Sequence, residues 1–241
     1  MTKGAICLWV VVLAALQLMG CDDKNAPSVE NFTNAINAVL VSSKAVIPAP
    51  GMPSHTQEQT TYIEDVTALE KMDNNYSKAD KNKFRRQITY AKLLQSTGMA
   101  MLKKGTFRDT SARGEIKQYY GYIVTFNDRY AKDVVKYRDG KIGLVAGFVG
   151  VEKILKYTEP KDIKGKSTTY VTYTRTVINR PEWATDTVLD YAGVKNHLNG
   201  KQTAKLILTD SGWKVEGYKG RGLNMTRESR NSRSNDYSDD N

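Results

Sequence analysis

The chain has 241 residues, with 36 Lys and Arg against 26 Asp and Glu, a net charge of +10, and only two histidines. Both cysteines, Cys7 and Cys21, lie within the first 21 residues, so the rest of the chain has no thiol for a disulfide framework or a thiolate nucleophile. The length allows one sizeable domain or two small ones with real cores, and 14 Tyr supply material for a strand-rich core.

The first element reads as an export signal. Lys3 provides a charged start, and Ala5 to Met19 is apolar apart from Gln17. A spanning helix needs about 20 apolar residues, whereas this run stops at Cys21 before the polar Asp22-Asp23-Lys24-Asn25. The junction Leu18-Met19-Gly20-Cys21 resembles the lipobox of bacterial lipoproteins. There a thiol is needed for the thioether to diacylglycerol, and a small residue such as Gly20 fits a narrow peptidase pocket. The resemblance implies cleavage before Cys21, lipid on that cysteine, and a chain that keeps a charge of +9 once Lys3 is lost. Each buried methylene contributes about 0.8 kcal/mol, and more than one acyl chain makes anchoring stable. Asp22 resembles the inner-membrane retention signal of enteric lipoproteins. The expected location is therefore the periplasmic face of the inner membrane, with the outer membrane as the alternative.

After a short polar tether at 21–26, Val29, Phe32, Ile36, Val39 and Leu40 recur at helical spacing over Pro27 to Ser43, with Ser28 as N-cap. Pro48, Pro50, Gly51 and Pro53 then predict a loop over Ala45 to Gln59. A second helix is expected from Ser77 to Gln95, opened by Ser77-x-x-Asp80 and carrying Phe84, Ile88, Ala91 and Leu94 or Leu93. Beyond Gly105 the period falls to two, and Tyr120, Tyr122, Val124 and Phe126 share one face of a strand. Asn127-Asp128 can cap a short helix carrying Tyr130, Val134 and Tyr137, and Asp139-Gly140 turns into a strand over Ile142 to Phe148. Val171, Tyr173 and Val177 alternate with threonines over Thr168 to Ile178. A final hairpin sets Leu206 and Leu208 against Trp213 and Val215 across Asp210-Ser211-Gly212.

From about Arg221 the chain is almost free of apolar residues, a composition that predicts disorder. The fold expected is α+β: N-terminal helices followed by an antiparallel β-sheet with a C-terminal hairpin. The organisation expected is a signal at 1–20, a lipidated tether at 21–26, a helical region with a Pro-rich loop at 27–104, a β-rich region at 105–220 and a polar tail at 221–241.

Several segments together look like a group of uncharacterised enterobacterial, more broadly proteobacterial, lipoproteins. They are Cys21 to Pro27 with Asn31-Phe32 and Ala35-Ile36-Asn37, Ile154 to Pro160, Val171 to Thr174, Glu182-Trp183-Ala184, Leu206-Ile207-Leu208 and Gly212 to Glu216. The likeness covers most of the chain after the signal. It departs where relatives often carry a cysteine before the Thr158-Glu159-Pro160 element and this chain has none. The resemblance implies a class and no particular activity.

Chemistry-bearing patterns are sparse. Ser54 beside His55, or His197 with Asp190, are the candidates for a nucleophile and base, yet neither sits in a G-x-S-x-G elbow. Two distant histidines without H-E-x-x-H make a zinc site unexpected, and Asp65, Asp73 and Asp80 lack the spacing of a calcium loop, so no metal or cofactor is expected. Gly143, Gly147 and Gly150 do not form a phosphate cradle and read as bends in a strand. Two basic runs stand out: Lys78, Lys81, Lys83, Arg85, Arg86 and Lys92 on the second helix, and Lys153, Lys156, Lys161, Lys164 and Lys166 later. Either could face anionic headgroups beside the anchor. The first run is the preferred contact. The expectation is a non-catalytic interaction or accessory module of the cell envelope, whose partners are the membrane and anionic lipid or envelope proteins. A basic module for lipid or wall polymer and an envelope hydrolase are the alternatives. Nucleic acid is a poor partner beyond the cytoplasmic membrane.

Overall fold

The computed structural model describes residues 23–54, 57–69, 76–110 and 114–219. The expected signal, Cys21, Asp22, His55 and the expected tail fall outside them. Helix α1 spans Val29–Leu40, with Ser28 in extended conformation and its hydroxyl accepting the Asn31 amide. Phe32, Ala35, Ile36 and Leu40 are buried. Val29 and Val39, expected on the same stripe, stay 53% and 40% exposed: the one lies in the first turn, the other borders an open groove.

Where a loop is predicted, Ala45 and Ile47 instead go inside on strand β1, Lys44–Pro48, and β2, Met52–Pro53, is a two-residue strand. β1 pairs only with the later strand β7, so it is an edge strand, and an edge tolerates a terminal proline because one side of the ladder is free. Next come β3 (Thr60–Glu64), α2 (Val66–Leu69) and α3 (Lys78–Ser96). Ser77 and Asp80 close a reciprocal capping box on α3, and Phe84, Ile88, Tyr90, Ala91 and Leu94 are its buried face.

β4 (Ala100–Thr110) and β5 (Ile116–Phe126) form a long hairpin. The helix expected after Asn127 is a short 3₁₀ segment kinked at Tyr130, Asp128–Asp133, and Val134 already belongs to β6, Val134–Lys136. A β-branched pair at Val134-Val135 suits the strand better than a second turn. The rest is β7 (Ile142–Tyr157), β8 (Lys161–Ile163), β9 (Lys166–Ile178), α4 (Asp186–Tyr191), α5 (Val194–Leu198), β10 (Gln202–Thr209) and β11 (Gly212–Lys219).

The chain is thus α+β, with antiparallel pairing throughout both sheets. Sheet 1 has the order β1-β7-β9-β10-β11, with β6 beside β7 and β8 beside β9; sheet 2 has the order β2-β3-β5-β4. Helix α1 lies on β7, β10 and β11, and α3 lies on β3 and β4 and touches α2 and α4. One contiguous core runs through both halves, from Phe32 and Ile36 to Ile63, Phe84, Val124, Trp183 and Leu206. The glycines of β7 are where that strand bends and is crowded. Gly147 has φ +133°, in a bulge where β1 and β7 lose register, and a Cβ there would meet the Ile178 carbonyl oxygen at 2.5 Å.

Candidate functional site

Residues 23–26 do not hang as a free tether. The Asn31 amide group donates to the carbonyls of Asp23 and Ala26, each at 2.9 Å, and the Ala26 amide turns back to the Asp23 carbonyl at 2.8 Å. From the other end of the chain, the Trp213 indole donates to the carbonyls of Asn25 and Ala26, both at 3.1 Å. Gly212 permits this approach: a Cβ there would stand 3.0 Å from the Lys24 carbonyl oxygen. Beneath the turn, Phe32 meets the edges of Tyr157 and Trp213 at 5.0 and 5.2 Å between ring centroids. An open groove of about 480 Å³ runs alongside, between α1 at Ala35, Ala38 and Val39 and the start of β11, with Lys24 and Lys214 on its lining.

Antiparallel register places four further pieces at this end of sheet 1. Tyr157 closes β7 opposite Val171, β8 pairs with the first residues of β9, Thr168 faces Ile207, and the β10–β11 turn follows at Asp210 and Ser211. This near end, where the chain enters, therefore carries most of the second basic run. Lys156, Lys161, Lys164 and Lys166 are exposed on this side, while Lys153, opposite Thr174, is exposed farther up β7. Also exposed on this side are Val29, Leu155, Tyr157, Ile163 and Tyr170, five of the eleven exposed large apolar side chains among the described residues.

The preferred basic run sits elsewhere. Lys78, Lys83, Arg85, Arg86 and Lys92 are exposed and Lys81 is half-buried along α3. The carboxylate of Asp80 accepts from the Ser77 hydroxyl and amide, which hold it below the usual range, with Lys83 adding to the effect. Helix α3 packs on sheet 2 and on α4, where the Tyr191 hydroxyl donates to the Arg86 carbonyl. α4 comes after β9 in the chain, so the stretch of α3 that meets Tyr191 through Arg86 and Tyr90 lies toward the far end of sheet 1, away from the point where the chain enters.

Of the residues weighed for hydrolysis, His55 lies outside the described residues, and Asp190 and His197 are not brought together. Ser54 is buried, and its hydroxyl oxygen accepts from the Tyr62 hydroxyl at 3.1 Å and the Gln57 amide at 2.8 Å. Asp190 faces Lys195 at 2.8 Å rather than His197, and this pairing raises the lysine's pKa. His197 is exposed, and its carbonyl accepts from Arg175. Among the described residues, no group of three or more His, Cys, Asp or Glu could hold a metal ion. No described helix is long and apolar enough to cross a membrane.

No family model, curated protein or solved structure matches the chain. Leu18, Met19, Gly20, Cys21 and Asp22 lie outside the described residues. What sequence reasoning misses is the staple. By pattern alone Asn31 is a helix residue and Trp213 a hairpin core residue. Nothing in their spacing announces a contact spanning 188 positions.

Proposed function

We propose that the protein is a membrane-anchored periplasmic lipoprotein, held at the inner membrane by lipid on Cys21, that acts as a non-catalytic interaction or accessory module of the cell envelope. The observation that carries this reading is Leu18-Met19-Gly20-Cys21, set where the apolar run gives way to Asp22-Asp23-Lys24. Asp23 is only two residues beyond the cysteine, so their Cα atoms stand at most about 7 Å apart. Residues 23–26, next to the expected anchor, are stapled to the body by Asn31 and Trp213. The hydrolase alternative gains no support from Ser54 or Asp190, whose oxygens are engaged by Tyr62, Gln57 and Lys195.

Growth in radioactive palmitate tests the reading. The wild-type chain is expected to take up label and sediment with membranes, and Cys21→Ser to remain unlabelled and uncut. A wild-type chain without label, together with a serine variant processed as before, would overturn it.

A further inference from the structure

Resting on that anchored reading, we infer that the near end of sheet 1 is the surface that seats on the bilayer. Its cationic flank at β8 meets lipid phosphates, while α3 faces away. Two independent observations converge here. The described chain enters the fold at this end with Asp23, two positions after the residue expected to bear the lipid. The same end also exposes Leu155, Tyr157 and Ile163, which suit the headgroup boundary, where a tyrosine keeps its hydroxyl wet and its ring in apolar surroundings.

Charge favours one flank. Over 156–166, four lysines outnumber the carboxylates of Glu159 and Asp162, and Asp162 is occupied by the Gly165 amide. On the opposite flank, beside α1 and the β10–β11 turn, Asp23, Glu30 and Asp210 outnumber Lys24 and Lys214, so an anionic surface attracts the β8 side more. The distances permit it: β8 and β11 are separated by β9 and β10, about 15 Å at the usual strand spacing. Lysines held that close to the anchor lie within a Debye length or two of the headgroups, about 8 Å each at physiological ionic strength. The larger cationic run lies on α3, which packs on sheet 2 and on α4, and α4 comes after the far end of β9, whose thirteen residues span about 40 Å. The sequence-preferred lipid contact is therefore directed away from the anchoring membrane.

The mature chain has no cysteine besides Cys21, so single probes can be attached after Ile163→Cys and after Lys92→Cys in the full, lipidated protein. Both are reconstituted in vesicles of phosphatidylcholine, with and without phosphatidylglycerol, and quenched by spin-labelled lipid and by iodide. Expected is several-fold stronger lipid quenching at position 163 than at 92, iodide access in the reverse order, and a fall in lipid quenching at 163 when Lys161, Lys164 and Lys166 are changed to Gln. Equal behaviour of the two positions in palmitate-labelled protein overturns this orientation and leaves the anchor standing. Absence of palmitate from the same preparation overturns both.

Discussion

Sheet 2 closes on residues 52–126 as two hairpins, β2–β3 and β4–β5, joined by the pairing of β3 with β5, whereas sheet 1 draws strands from residue 44 to residue 219. Their aromatic side chains differ in the same sense. In sheet 2, Tyr62, Phe107 and Tyr119 stack face to face at 4.0 and 5.4 Å, whereas at the near end of sheet 1 Phe32 is met edge-on by rings from β7 and β11. Sheet 2 can form once its two hairpins meet. The near end of sheet 1 must bring together chain segments nearly 190 positions apart, at a higher loop-closure cost. Local pairing makes the first half robust. The second depends on a few long-range polar contacts, and those hold the residues nearest the expected anchor.

The residue joining the two regions gives the largest expected effect. Trp183 is fully buried between β9 and α4, and its indole donates to the buried Asp133 carboxylate after β5 at 3.1 Å. Trp183→Ala should destabilise the fold by about 3–5 kcal/mol in urea titrations. Loss from both sheets in one transition supports a shared core, and two separate transitions would break that picture. Trp213→Phe should cost about 1–3 kcal/mol, because it keeps a ring on Phe32 and removes the donor to two carbonyls. Hydrogen exchange should quicken at the Ala26 amide and remain unchanged at the paired amides of β4 and β5.

What the sequence makes legible follows the same division between local and distant. Both long helices are readable because their information is local: Ser28 and Ser77 cap them, and Ile36, Leu40, Phe84, Ile88 and Leu94 recur at helical period. Val171, Tyr173 and Val177 are readable by alternation and are buried on β9. β1 is not, since three nearby prolines mask a strand that exists by pairing with a segment about 100 positions later. The short helices α4 and α5 carry too few turns for a period to emerge, and their burial of Val188, Leu189, Val194 and Leu198 is decided by the core. At the candidate site, the two basic runs are visible as composition. Which of them lies beside residues 23–26 depends on strand register, which no local pattern of lysines encodes.

Smaller effects sharpen the comparison inside sheet 2. Asp65 is buried after β3, takes the Thr67 hydroxyl and the Ala68 amide at the start of α2, and pairs with Lys104 at 3.0 Å. Burial pushes its carboxyl up, but the Thr67, Lys104 and Ala68 contacts outweigh it and hold the group below its ordinary value. The stabilisation is thus present above about pH 4 and is lost as pH falls through the depressed value. Lys104 is raised by Asp65, so its share is complete at neutral pH and is lost only in strongly alkaline solution. Asp65→Asn should cost about 1 kcal/mol at pH 7 and flatten the acid limb of the stability curve. An unchanged acid limb would show that the pairing adds nothing.

The smallest expected change compares the two helix caps. Ser28→Ala and Ser77→Ala each remove one hydroxyl acceptor from a first turn, with a cost of about 0.5–1 kcal/mol. The consequences should nevertheless differ in place. Ser77 caps a helix resting on locally paired strands, so its loss should fray the first turn of α3 alone. Ser28 directly follows the stapled turn and opens the helix that carries Asn31, so its loss should also speed exchange at the Ala26 amide. Equal and purely local fraying in both variants would mean that the near end is held by Trp213 without help from α1.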